Sequence, residues 1–410
     1  MGCIVSALIS LFRHKTVRWP AMGFASGSVS FRRFAVVGPK QPDIPSEELL
    51  KKLSDGALRP SDLGVPEPVE YGWSGGRHVL DGAFSFQHNV FNDCMYFALR
   101  VDTNKVPGEL KKAYQIMEEE AAAKDNPSGF ISKKQKKDAK DTVSRKVDDE
   151  LRSGRFRRSK LISILWDLPN QTLYCQCGSS DQEKLQEIFS RTFNLEVQGL
   201  SGGSIALRIL EPAGKRRDYE DLKPTRFVVG PGGESQYPDY PWVTKGPEPK
   251  DFLGNEFALW LWFSADAKDG VVKTDDGDIT LMFDKALDLD CAYGESGKDS
   301  LRGAGPTRMP EAMDALHTGK VPRKAGLIMD AHGAQYTFQL GAENLAINGL
   351  QMPEVEEADT PRTLFEERIT QLRDFAKSLD ALYTAFLKVR TSSWETLRGT
   401  IRKWIVDSQK

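Results

Sequence analysis

The sequence predicts an α+β protein with antiparallel sheets, a projecting helical hairpin dense in cations, and a long closing helix. Three observations lead there. Strand-like runs alternate with helical ones over residues 22–210; proline and glycine punctuate residues 211–250; and the chain closes on a helix with a broad apolar face. At 410 residues and 40% hydrophobic content, two or three domains with ordinary buried cores are within reach.

Residues 1–21 are set aside from the fold. Residues 2–12 are apolar, but so short a run cannot span a bilayer. Met1-Gly2-Cys3 with Ser6 fits a myristoylation pattern, and the stretch also passes as a short signal-like segment. The reading adopted is an upstream extension, with the domain starting at Met22 and alternation from Ser28 onward.

In the region 22–210, residues 29–37 read as a strand and 46–53 as a short helix capped by Ser46. Residues 91–101 are strand-like, and Pro107 then opens a helix through Leu110, Ala113, Ile116 and Met117. After the breaker at 126–129, Ser132 and Gln135 have capping-box spacing. Ala139, Val143, Val147 and Leu151 follow at intervals of four, a stripe too thin to bury much, so the two helices of 106–160 are expected to project as a finger. Strands at 161–166 and 172–177 flank Pro169-Asn170, and a helix (182–193) and strand (195–197) close the region.

Residues 211–250 form an irregular linker or insertion carrying seven prolines and the basic cluster Lys215-Arg216-Arg217. The region 251–410 begins with the apolar run 252–263, containing Leu259-Trp260-Leu261-Trp262. A strand at 279–283, a short helix near 309–316, and a hairpin pairing 325–330 with 335–340 follow. From Thr360-Pro361 a helix carries Leu364, Phe365, Ile369, Leu372, Phe375, Leu379, Leu382, Phe386 and Leu387, a face suited to core packing or to a dimer interface.

Charge is segregated. Residues 130–160 hold twelve Lys or Arg (133, 134, 136, 137, 140, 145, 146, 152, 155, 157, 158, 160) against five acids, a balance of +7 in a chain whose total is −2. Pairs Lys134–Asp138 and Lys137–Asp141 stand at i,i+4, but acids are too few to neutralise the bases. A basic segment on an acidic body attracts a polyanion locally, which makes nucleic acid the first partner to consider. Lys133, Lys134, Lys136, Lys137, Lys140, Arg145, Lys146, Arg152, Arg155, Arg157, Arg158 and Lys160 are the candidate phosphate contacts. Phe156, among five cations, is either a wedge at a base step or the first core residue of the next strand.

Catalytic signals are sparse. The five histidines (14, 78, 88, 317, 332) lack metal-ligand spacing, no Gly-x-Ser-x-Gly occurs, and Gly230-Pro231-Gly232-Gly233 is not followed by Lys-Ser/Thr. Cys175-Gln176-Cys177 is neither a disulfide framework nor a zinc spacing, and two small buried side chains in a reducing cytoplasm are the expected use. Asp275-Asp276-Gly277-Asp278 reads as a tight turn. Asp288 and Asp290 would share a strand face, the one arrangement open to a metal-dependent nuclease. A protein-interaction scaffold using the closing helix is a further alternative.

The order of these pieces resembles RdgC, the bacterial recombination-associated protein family. The likeness runs from the Pro107 helix through the lysine-rich helix, the Arg/Phe-rich turn, and Ile164-Leu165-Trp166-Asp167 with its following strand and helix. It resumes at His317-Thr318-Gly319-Lys320-Val321-Pro322-Arg323-Lys324, Leu327-Ile328-Met329-Asp330, Gln335-Tyr336-Thr337-Phe338 and Phe365-Glu366-Glu367-Arg368-Ile369. It covers most of 22–210 and 252–390 and rests on order and local strings rather than on one short motif.

The resemblance implies an α+β, non-catalytic, cofactor-free protein that forms a ring-shaped homodimer. The positively charged hole of that ring encloses double-stranded DNA with little sequence preference, and single-stranded DNA is left open as a partner. It further implies antagonism of RecA filaments, a cytoplasmic, nucleoid-associated location, and no membrane. Carried over, 132–160 matches the basic finger, Phe156 falls near a family aromatic, and Lys320, Arg323 and Lys324 match the basic start of a later strand, where strand solubility explains them equally. The chain departs at 211–250, at the segment after Arg390 that extends the last helix with Trp394 and Trp404, and where only Lys298, Arg302 and Arg308 replace a basic run.

Overall fold

The computed structural model describes residues 23–59, 67–124, 130–228, 250–267, 269–291, 297–355 and 358–407. The expected N-terminal extension and most of the Pro/Gly-rich stretch lie outside the described residues. The chain divides into two compact units: Phe34–Gln198, and Gly199–Lys410 together with the chain start up to Arg33. The boundary therefore falls at Gln198, and residues 199–228 belong with the C-terminal unit.

β1 (Val29–Val37) crosses the boundary. The N-terminal unit continues with α1 (Glu47–Asp55), β2 (Val69–Ser74), α2 (Phe86–Asn89), β3 (Val90–Phe91), β4 (Cys94–Asn104), α3 (Gly108–Lys124), α4 (Lys133–Arg152), β5 (Arg157–Asp167), β6 (Thr172–Cys175) and α5 (Ser179–Phe193), ending in β7 (Glu196–Gly199). Strands β2, β4, β5 and β6 pair antiparallel in that spatial order. Alternate residues of β4 and β5 (Phe97, Leu99, Ile162, Ile164, Trp166) meet Leu185, Ile188, Phe189 and Phe193 of α5 and Leu49, Leu50 and Leu53 of α1. Trp166 lies edge-on to Phe189 and Phe193, each 5.1 Å away. As expected, Ser46 Oγ caps α1 by accepting from Leu49 N at 3.3 Å. The expected strand at 91–101 is instead a hairpin, because Asn92 takes a positive φ of 52° and turns β3 back onto β4.

The C-terminal unit holds α6 (Gly202–Leu210), α7 (Arg216–Asp221), α8 (Phe252–Ala267), β8 (Val271–Thr274), β9 (Gly277–Cys291) and β10 (Asp299–Gly303). A 3₁₀ turn (Pro306–Arg308), α9 (Pro310–His317), β11 (Lys320–Ala331), β12 (Ala334–Gly341), β13 (Ala346–Gln351), α10 (Pro361–Ser392) and α11 (Trp394–Asp407) follow. Its sheet runs β10-β9-β11-β12-β13, all antiparallel, with Val29 and Phe31 of β1 beside β13. The predicted hairpin closes as Ala331 opposite Ala334, with His332 and Gly333 both at positive φ. Thr274 likewise pairs with Gly277 across the expected acidic turn.

Two local expectations need correction, and one segment that the sequence left unassigned takes a definite form. The apolar run at 252–263 is a helix buried on every side, so α8 is a core element rather than an amphipathic one. Its Gly254 is required by close approach, since a β-carbon there would sit 1.9 Å from the carbonyl oxygen of Ala342. The linker contains a helical turn, α7, whose Tyr219 is buried. The closing helix stops at Ser393, and Trp394 and Trp404 belong to a separate helix, α11. Trp394 packs edge-on against Phe386 and Phe227, and Trp404 against Trp262 and Phe263.

The apolar face of α10 is core: Phe375 lies 5.4 Å from Tyr336 and 4.8 Å from Phe338. The chain is thus α+β, with eleven α-helices among the described residues and antiparallel strands. Among those residues, no helix is long and apolar enough to cross a membrane.

Candidate nucleic-acid interface

The capping box forms as spaced: Gln135 N donates to Ser132 Oγ at 3.2 Å, and Ser132 N donates to Gln135 Oε1 at 2.9 Å. α4 packs on α3. Val143 and Val147 make a small core with Val106, against which Leu110, Tyr114, Leu151 and Phe156 pack. This cluster is separate from the main core of the unit, as the thin stripe requires.

Polar contacts set the register. Tyr114 Oη donates to Glu150 Oε1 at 2.9 Å, and Lys146 Nζ lies 2.5 Å from Glu118 Oε1. Hydrogen bonding to Glu150 holds the Tyr114 phenol above its ordinary pKa. These pairs run antiparallel, and the same register sets Lys124 opposite Lys140. Lys133–Lys137 therefore extend beyond the last turn of α3.

Lys133, Lys134, Lys136, Lys137 and Lys140 are all exposed, and none has a carboxylate partner among the described residues. The expected pairs Lys134–Asp138 and Lys137–Asp141 do not form. The first turn of α4 also contains no acid. Cations at a helix N-terminus oppose the macrodipole, costing roughly 0.3–1 kcal/mol each at low salt. Local helix stability does not account for this placement. Among the described residues, Arg145 reaches only the backbone oxygen of Asp141, at 3.4 Å. Arg152 and Arg158 are exposed and, among the described residues, unpaired.

The base of the finger differs. The expected turn over 152–160 is shorter, because β5 begins at Arg157; Arg157, Arg158 and Lys160 are strand residues. Arg157 bonds Glu70 at 2.7 Å and Asp102 at 2.8 Å, and Asp102 is also held by Arg100 at 2.6 Å. Burial pushes the Asp102 carboxyl up, but hydrogen bonds from Arg100, Ser159 and Arg157 outweigh it and hold the group below the usual carboxylate range. Lys160 pairs with Asp181 at 2.6 Å, and exposed Arg155 approaches Glu150 at 3.5 Å.

Phe156 is half-buried in the finger's core, with the Arg155 guanidinium 5.8 Å from its ring. The side chain packs within the finger, one residue before β5, rather than as the first core residue of that strand.

The second expected patch is also engaged. Lys320 is mostly covered and bonds Asp299 at 2.5 Å, while Arg323 bonds Asp290 at 3.0 Å and Glu343 at 2.5 Å. Half-buried Lys324 lies near Asp288, which Arg302 holds at 2.6 Å. Asp290 additionally meets Lys298 at 3.5 Å. Cations thus occupy both acids that a nuclease would need for metal ions. Among the described residues no three His, Cys, Asp or Glu side chains converge as metal ligands. Cys175 and Cys177 are buried and not joined in a disulfide.

Sequence reasoning passed over Lys105, Lys111 and Lys112, which are exposed at the base of the finger without ion-pair partners among the described residues. Glu109 and Glu118-Glu119-Glu120 dilute their signal in the sequence. No model of a known protein family matches the chain, and no curated protein matches it.

Proposed function

We propose that this chain binds duplex DNA through its phosphate backbone, without sequence preference and without chemistry on the DNA. One observation carries the proposal: five lysines stand exposed over the first eight residues of α4 without carboxylate partners among the described residues, three of them in the first turn against the helix dipole. Flexible ammonium groups suit point contacts with phosphates rather than readout of base edges. A helix of this length spans about 30 Å, close to one duplex turn. A ring-shaped homodimer that restrains RecA filaments is the finer form of the proposal, and it rests on the resemblance to RdgC.

The test is a titration of labelled duplex across potassium chloride concentrations. The logarithm of affinity should fall linearly with the logarithm of salt, by about 0.9 per phosphate neutralised. A flat salt profile overturns the proposal.

A further inference from the structure

The C-terminal unit contains a polar cleft of about 330 Å³ that plays no part in the finger's chemistry. Lys223, Thr225, Arg226, Arg390, Trp394 and Arg398 line it, together with the carboxylates of Asp221 and Glu395. The segment following α7 has no regular structure through residue 228, and cations hold its carbonyls. Arg390 Nη2 donates to Lys223 O at 2.6 Å, and Lys250 Nζ to Glu220 O at 2.9 Å and Leu222 O at 2.7 Å. Arg398 Nε and Arg402 Nη2 both donate to Arg226 O, at 3.3 and 3.1 Å. A carbonyl solvates a cation but does not neutralise it.

The nearby acids leave an excess of positive charge. Glu256 pairs with Arg390 at 2.7 Å, Glu395 with Arg398 at 2.9 Å, and Glu220 with Arg216 at 3.1 Å. Asp221 remains, in the cleft lining and close enough to Lys250 to raise its pKa. Arg226 adds an independent sign: its Nη1 is buried without a hydrogen-bond acceptor among the described residues, and a buried guanidinium N–H is costly to leave unmade. Burial also lowers the Lys250 pKa, with Asp221 opposing.

We propose that this cleft binds a phosphomonoester dianion, with the Arg226 guanidinium and the Lys223 ammonium as its principal donors. Guanidinium geometry matches phosphate oxygens, and two cations match its charge. The volume exceeds that of one phosphate, leaving room for the group to which it is attached. The same chemistry is offered by the terminal phosphate of a nucleic-acid strand and by a free phosphorylated metabolite.

The experiment uses the full chain and inorganic phosphate as probe, following thermal unfolding against potassium chloride of matched ionic strength. Phosphate should raise the melting temperature saturably. Arg226→Gln, which leaves the carbonyl contacts of residue 226 in place, should weaken apparent phosphate affinity by about tenfold or more. Lys223→Ala, at an exposed position that leaves the fold undisturbed, should weaken it by roughly threefold or more. Replacing exposed Lys51 by alanine should leave the phosphate response unchanged, which controls for loss of a surface charge as such.

Competition by a 5′-phosphorylated but not a 5′-hydroxyl oligonucleotide would assign the site to strand ends. Competition by a sugar phosphate alone would assign it to a metabolite; either supports the dianion site. A phosphate response no larger than that of chloride overturns it, as does wild-type phosphate affinity in both cleft variants.

Discussion

The N-terminal end of α4 and the start of β11 both read as basic, yet their cations are used differently. Lys133, Lys134, Lys136, Lys137 and Lys140 stand exposed without carboxylate partners among the described residues. Lys320 and Arg323 are bonded to Asp299, Asp290 and Glu343. The difference lies in what each backbone places nearby. α4 outruns the described part of α3, so among the described residues its leading lysines have no neighbouring strand to supply acids. β11 lies between β9 and β12, and β9 supplies Asp290, β10 supplies Asp299 and the β12–β13 turn supplies Glu343. Local cation density therefore measures available charge only where the surrounding topology leaves it unneutralised.

The most direct way to break this comparison is to replace all five α4 lysines by alanine. Duplex affinity at moderate salt should fall by about 100-fold or more, and the salt slope should lose roughly 4 in magnitude. Helix content should hold or rise, because alanine is the better helix former and the dipole conflict is relieved. The matching Lys320→Ala and Arg323→Ala variants should lower stability while leaving the salt slope intact. If they reduced the slope as much as the α4 set, the contrast would be wrong.

Arg157 sharpens the same point within the finger. Arg157→Ala should cost about 2 kcal/mol, since it strips one partner from the buried Asp102, while DNA affinity per folded molecule changes little. The pH dependence has a definite sign. Asp102 titrates below its unfolded value, so its contribution is complete above that value and is lost as pH falls through the acid range beneath about 4. Urea unfolding between about pH 6 and 3 should show this loss, and Asp102→Asn should flatten it.

Much of the architecture was legible because its signals are local. The Ser132–Gln135 capping box, the His332-Gly333 turn and the four-residue stripe of α4 depend on neighbours in sequence, and all stand as spaced. What the sequence concealed depends on distant partners. That Arg157 meets Glu70 and Asp102 follows from β5 lying beside β4 with Asn104 opposite Arg157. The helical state of 252–263 was hidden because a segment buried on all sides carries no periodicity to separate helix from strand. The break at Ser393 was missed because apolar residues continue past it into α11.

Phe156 offers a finer cut between packing and base contact. Phe156→Leu keeps an apolar side chain in the finger's core and removes the aromatic face. Stability should fall by about 1 kcal/mol and duplex affinity should stay within roughly twofold. A stacking role would instead forfeit about 1–3 kcal/mol of binding.

The cap tests whether the lysines act as an ordered array. Ser132→Ala removes the acceptor for Gln135 N, and loss of such a cap costs about 1 kcal/mol. The first turn of α4 holds three of the five lysines and carries no compensating acid, so the cap opposes fraying there. Hydrogen exchange should speed up in that turn while the helix around Val143 and Val147 stays protected. Because phosphate attraction depends on charge number more than on exact placement, the salt slope should be unchanged and affinity should drop by only about two- to fivefold. A drop as deep as that of the five-lysine variant would mean that helical presentation, rather than charge, governs the grip on DNA.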